Sequence, residues 1–126
     1  MQKPIILILI AAILVIGALF FLVSKNPRKI GPGSAPIPRT EVTVGKNGFS
    51  PQSLTIKKGD TVVWINQSGE DATVNSDPHP THNLHRFLNL GQFPSGSSAE
   101  ATFNEAGTFG YHNHFNPSQK GTIVVK

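Results

Sequence analysis

From Glu41 to Lys126 the chain is a succession of short runs rich in Val, Ile, Thr and aromatic residues, each closed by Gly, Pro, Asn or Asp, with no stretch that keeps a helical period. Runs of this kind are strands. The pattern predicts strands over Glu41–Lys46, Ser53–Lys57, Thr61–Asn66, Ala72–Ser76, Ala99–Phe103, Thr108–His112 and Thr122–Lys126, with KKGD (57–60) and NEAG (104–107) as turns. In TVVWIN the alternation puts Val62, Trp64 and Asn66 on one face and Val63 and Ile65 on the other. Both faces are partly apolar, so this strand is expected in the middle of a sheet. Seven short strands in 86 residues are too many for one stable flat layer, which makes the expected fold class all-β, a two-layer sandwich or closed barrel with one core. Trp64 and Tyr111 are read as part of that core. The longest gap, Asp77 to Ser98, is unusually large for so compact a domain, and loops of this length often carry function.

The first forty residues have a different character. Ile5 to Val23 is an unbroken, uncharged apolar run, about the length a helix needs to cross a hydrocarbon core of about 30 Å. It exceeds a signal-peptide core and no A-x-A-like cleavage site follows it, so a single N-terminal transmembrane helix is the expectation, with a cleaved and secreted form as the alternative. NPRKIGPGSAPIPR (26–39) carries four prolines and two glycines and reads as an extended, semi-rigid tether. The expected organisation is a short tail (1–4), a membrane helix (5–23), a basic Pro/Gly-rich linker (24–40) and one domain (41–126).

The net charge of +4 is unevenly spread: the first 39 residues hold Lys3, Lys25, Arg28, Lys29 and Arg39 with no acid, while the remainder is at −1. A basic patch has to lie on the folded surface to follow phosphates, so nucleic acid is not an expected partner. Basic residues beside the apolar run suit anionic lipid headgroups instead. The chain has no cysteine, which removes disulfides, thiolate metal sites, c-type haem attachment and a lipid-modified Cys together.

All five histidines fall in two short segments, DPHPTHNLHRF (77–87) and YHNHF (111–115). Two-residue spacing on an extended segment puts His112 and His114 on one side. Pro80 breaks any regular strand, and spacings of three in a turn bring His79 and His82 round to one side. These four neutral imidazoles are the candidate metal ligands. His85, further along towards Phe87 and Leu88, is a lesser candidate. Asp71 and Asp77 are possible ligands or partners that orient an imidazole, but acids at such positions are more often solvated turn residues and stay outside the expected site. NQS (66–68) matches a glycosylation sequon and carries little weight. Asn116-Pro117 reads as a turn.

VGKNGFSPQSLTIKKGDTVVWIN (44–66) and GTFGYHNHFNPSQKGTIVV (107–125) resemble the opening strands and final hairpin of a cupredoxin, the Greek-key β-sandwich of blue copper proteins. The resemblance implies that fold for nearly all of 41–126, a single copper ion as cofactor, and copper handling or electron transfer outside the cytoplasm, often behind a membrane anchor. It also implies a ligand set that is missing here. The family's last loop reads Cys, then His, then Met or Gln at intervals of three, and alignment on Gly121 puts Asn113, Asn116 and Gln119 at those positions. The family's earlier His falls at Ala72. Only Gln119 retains the chemistry of a weak axial oxygen, and a blue-copper centre needs a thiolate with two imidazoles.

With Asn113 at the inward position of the family Cys, His112 and His114 face away from the usual pocket, unless a bulge turns His112 inward. The expectation is therefore a membrane-anchored cupredoxin-like protein binding copper through His79, His82, His112 and His114, with zinc or another transition metal also open and a redox or copper-transfer protein as partner. Positive-inside counting favours a cytoplasmic domain, whereas the resemblance implies the extracytoplasmic side of the cell membrane, and the expectation follows the resemblance. The alternatives are a metal-free scaffold module and a small copper-dependent redox enzyme.

Overall fold

A computed structural model describes residues 36–126. The expected membrane helix at 5–23, the tail before it and most of the linker lie outside the described residues, among which no helix is long and apolar enough to cross a membrane. Among the described residues nine strands make two sheets: β1 (Arg39–Gly45), β2 (Gly48–Ser50), β3 (Ser53–Ile56), β4 (Thr61–Asn66), β5 (Ala72–Ser76), β6 (Gly91–Phe93), β7 (Ser98–Thr102), β8 (Gly107–Asn113) and β9 (Asn116–Val125). One sheet runs β2-β1-β4-β7 and the other β3-β9-β8-β5-β6. β1 lies parallel to β4 and β3 parallel to β9, while β8 and β9 form an antiparallel hairpin. The two-sheet all-β sandwich expected from the strand pattern is what forms, and β4 sits between β1 and β7 as its two-sided apolar pattern requires.

The facing surfaces of the sheets bury Val42, Val44, Val62, Trp64 and Ala101 against Val74, Tyr111, Ile123 and Val125. Fully burying each of the larger side chains contributes about 1.5–3 kcal/mol before entropy is charged against it. Trp64 and Phe49 meet the Tyr111 ring edge-on, at centroid distances of 5.3 and 4.8 Å. Tyr111 in turn covers Gly121: a Cβ there would collide with the phenol ring and its oxygen, so only glycine fits. Burial pushes the Tyr111 phenol up to about 12, which keeps it neutral inside the core.

β2 and β6 are not legible in the sequence, being three residues each and too short to show an alternation. The final strand begins earlier than expected, at Asn116. The hairpin turn is therefore His114-Phe115, and the reading of Asn116-Pro117 as the turn is corrected. Pro117 fits in the strand because the β8–β9 register breaks there: His112 pairs with Lys120 and Asn113 with Asn116, so Pro117 has no ladder partner.

Candidate metal centre

Alternation along β8 sorts its side chains. Tyr111 enters the core, whereas Gly110 and His112 face the long loop. That loop lies over β8 from Asp77 onward and is tied down at several points. Asp77 N–H donates to Gly110 O (3.1 Å), Leu84 N–H to Asp77 O (3.3 Å) and His85 N–H to the Ser76 hydroxyl (2.9 Å). The Asn89 amide accepts from Ser76 N–H and donates to His82 O, closing the loop on its far side. His82 itself takes a left-handed conformation, φ 50°, which is uncommon for a residue with a Cβ. It is held there by its own N–H on Pro78 O (2.8 Å) and by the Asn89 bond to its carbonyl.

The result is a cluster of imidazoles. His82, His112 and His114 each offer one ring nitrogen, all within 4.8 Å of one another. The His82 ring stacks on His112 at 4.9 Å, and His82 Nε2 lies 3.0 Å from His114 Nδ1. His79 packs against all three, with ring centroids 4.9 Å from His114, 5.5 Å from His112 and 5.8 Å from His82. His112 is fully buried. Its Nδ1 contacts the Asp77 carboxylate at 2.8 Å, while its Nε2 has no hydrogen-bond partner among the described residues. A carboxylate against Nδ1 keeps the proton there and leaves the lone pair on Nε2. His82 repeats the arrangement, with Nδ1 3.2 Å from Ser76 O. His114 is fixed through its backbone N–H, which donates to the Thr73 hydroxyl at 2.7 Å. A buried nitrogen lone pair with no donor facing it is costly unless something electropositive completes it.

Electrostatics act in the same direction. Desolvation, then the neighbouring His114, His112 and His82, hold His79 below the ordinary imidazole range, so the cluster resists protonation at that member. Neutral imidazoles converging on one point are a donor set for a borderline transition metal: copper, zinc, nickel or iron by ligand type.

The positions that hold copper in cupredoxins are filled differently. Asn113 is buried with its Oδ1 accepting from Thr73 N–H (3.2 Å) and its Nδ2 donating to Gln119 Oε1 (2.9 Å). Gln119 Nε2 donates to Lys46 O at 2.9 Å, and Ala72 is a fully buried apolar residue. This amide network satisfies itself and presents neither thiolate nor imidazole, so copper does not fit there, and Gln119 is spent on Asn113. The register does break between His112 and Asn113, but His112 stays on the loop side rather than turning inward.

His85 points elsewhere, its ring 4.6 Å from Phe109 and 6.4 Å from Phe87, at the point where the chain returns to the core through Leu88. Asp71 bonds to Gln92, away from the imidazoles. Asn66 of the sequon is fully buried and donates to Glu70 O and Phe93 O, which closes it to glycan attachment in the folded domain. Sequence reasoning sets aside Asp77, which holds His112, and passes over Gly110, whose missing Cβ makes room for the Asp77 carboxylate: a Cβ there would stand 2.5 Å from Oδ2. The one available signal for Asp77 is its place two residues before His79.

A two-sheet β-sandwich of mixed parallel and antiparallel strands, closed by a hairpin whose turn adjoins a side-chain cluster, defines the class of small β-sandwich domains. Within that class the chain belongs to the cupredoxin family: a family model described as a cupredoxin-like domain matches residues 11–125. Plastocyanin from Scenedesmus fuscus is 36% identical over 84 residues, covering 62% of this chain and 86% of that protein. Amicyanin from Paracoccus denitrificans is 32% identical over 90 residues, covering 68% of this chain and 63% of that one. Among solved structures, a purple cupredoxin from Nitrosopumilus maritimus superposes with a TM-score of 0.62 at 22% identity, covering 69% of this chain and 99% of that chain. A Cu(I) form of an amicyanin variant does so with a TM-score of 0.57 at 28% identity, covering 70% and 82%.

Proposed function

We propose that this is a membrane-anchored, extracytoplasmic copper-binding cupredoxin that handles copper or passes electrons through a thiolate-free centre made of His82, His112, His114 and His79. The observation that carries the reading is the fully buried Nε2 of His112, left without a partner and surrounded by three other imidazoles. Copper, rather than zinc, is supported by the family, one of whose similar structures is a Cu(I) amicyanin variant. Bound there, the metal would supply redox or Lewis-acid chemistry. The chain's own part is to hold the donors: Asp77 and Ser76 O orient two rings, Thr73 fixes the backbone of a third, and the tied-down loop keeps them together. A copper-accepting or redox protein is the corresponding partner. The apolar run at 5–23 supports the anchor, with a cleaved, secreted form as its alternative.

The test is electron paramagnetic resonance on the full chain with one equivalent of Cu(II), beside a variant with His79, His82, His112 and His114 changed to Ala. A nitrogen-coupled, non-blue signal lost in the variant is the expected result. Identical weak signals in both proteins would leave the fold as a scaffold without a metal. Recovery of the protein in salt-washed membranes, with the domain open to protease on intact cells, is the expected result for the anchor and its orientation.

A further inference from the structure

The four imidazoles are not held alike. His112 is buried and bonded to Asp77, His82 is bonded to Ser76 O and locked by both backbone groups, and His114 is bonded through its N–H to Thr73 and through its ring to His82. His79 is exposed, and among the described residues its imidazole makes no hydrogen bond. It stands between Pro78 and Pro80, whose rings fix the φ angles on either side of it, and its own side chain is left free of any bond that would select one rotamer. Its centroid distances, 4.9–5.8 Å, put it at the mouth of the cluster, while the other three supply the donor atoms that lie within 4.8 Å of one another.

We infer that the centre is built as three fixed donors and one exchangeable one, with His79 the donor that gives way to an incoming imidazole-type nitrogen ligand. The inference rests on the proposed metal reading and adds to it a position for ligand exchange. In the exchange one metal–nitrogen bond breaks at His79 and one forms to the incoming nitrogen, and no electron or proton changes hands. A fixed outer shell around three ligands retains the ion, whereas an unanchored fourth ligand has nothing to hold it in place once it leaves. The incoming ligand therefore meets the metal from the solvent side, where His79 lies.

The experiment uses the full chain loaded with one equivalent of Cu(II), read by paramagnetic resonance and by competition with a chelator, with imidazole itself as the probe. His79→Ala is expected to keep one equivalent of copper with an affinity loss of no more than about tenfold. Titrated imidazole is expected to restore the wild-type signal, saturating at one molecule. His114→Ala, at an exposed position, is expected to lose more than about 100-fold, beyond the roughly 10–100-fold typical of an outer-shell partner, with no recovery of the wild-type signal in imidazole. Equal losses in the two variants, or a His79→Ala signal that imidazole leaves unchanged, would overturn the inference while leaving the metal site standing. A wild-type chain that takes up no copper would remove the proposed function itself.

Discussion

The two faces of β8 make an instructive pair. On the inner face Asn113 lies in a closed net of amides with Thr73, Gln119 and, through Gln119, Lys46. One residue earlier, His112 looks the other way into a cluster of imidazoles and leaves a buried nitrogen open. Side chains on a strand alternate, so an offset of one residue carries a donor from one side of the sheet to the other without altering the strand or the core behind it. The family fold thus leaves either face of one hairpin open to donor side chains. The amides satisfy each other, whereas the imidazole cluster leaves one buried nitrogen, His112 Nε2, without a hydrogen-bond partner among the described residues.

The largest test of that contrast is a pair of double variants. His112→Ala with His114→Ala is expected to reduce Cu(II) affinity by more than about 100-fold, above the loss typical of an outer-shell change. Asn113→Ala with Gln119→Ala is expected to cost clearly less, its link to the imidazoles running through Thr73, which bonds to Asn113 Oδ1 and accepts from the His114 N–H, rather than through a donor atom. Competition titrations against a chelator of known affinity read both. A larger loss from the amide pair would return the metal to the family position and break the comparison.

A smaller effect sharpens it. Asp77→Asn keeps the shape of the side chain but removes the charge that holds the proton on His112 Nδ1, and loss of such an outer partner typically costs about 10–100-fold in metal affinity. Gly110→Ala is expected to act in the same direction by pushing the Asp77 carboxylate out of its place. Both variants should still bind one equivalent, with an altered nitrogen hyperfine pattern. Unchanged affinity in both would mean that His112 is oriented by packing alone.

Much of this contrast is legible in the amino-acid sequence. The run of short strands and the central placement of TVVWIN follow from local pattern, because alternation and turn residues act over a few positions, while the missing ligands at Ala72, Asn113 and Asn116 follow from the resemblance to the family. So does the sorting of Asn113 and His112 to opposite faces. What stays hidden depends on contacts far apart in sequence. Nothing local shows that Asp77 reaches across 35 positions to His112, or that Gly110 is glycine to admit that carboxylate. The left-handed turn at His82 is set by Asn89 and Pro78 together, and the short strands β2 and β6 exist only through pairing with β1 and β5.

The amide face should show itself in stability rather than in metal binding. Gln119→Ala removes the partner of Asn113 Nδ2 and a bond to Lys46 O, and a net loss of about 1 kcal/mol is expected from the urea midpoint. Copper affinity should not change with it. A loss of affinity parallel to the loss of stability would couple the two faces through the hairpin.

The smallest effect comes from the imidazole face without metal. Desolvation and the three neighbouring histidines depress the His79 pKa below its ordinary value of 6.5, so the unfolded chain takes up that proton before the folded one does. Stability therefore rises with pH wherever the unfolded state binds more protons: it should be level above the ordinary imidazole range and fall as pH drops below about 6.5, flattening once the folded-state pKa is also passed. His79 is exposed, so solvent screens the interaction and the slope should be shallow. His79→Gln is expected to remove that slope in urea titrations of the metal-free chain between about pH 8 and pH 5.5, above the range where carboxylates add their own dependence. Metal binding should follow the same direction more steeply, since every imidazole ligand has to be neutral to coordinate. A metal-free slope that survives in His79→Gln would mean that the pH dependence does not come from the mouth of the cluster.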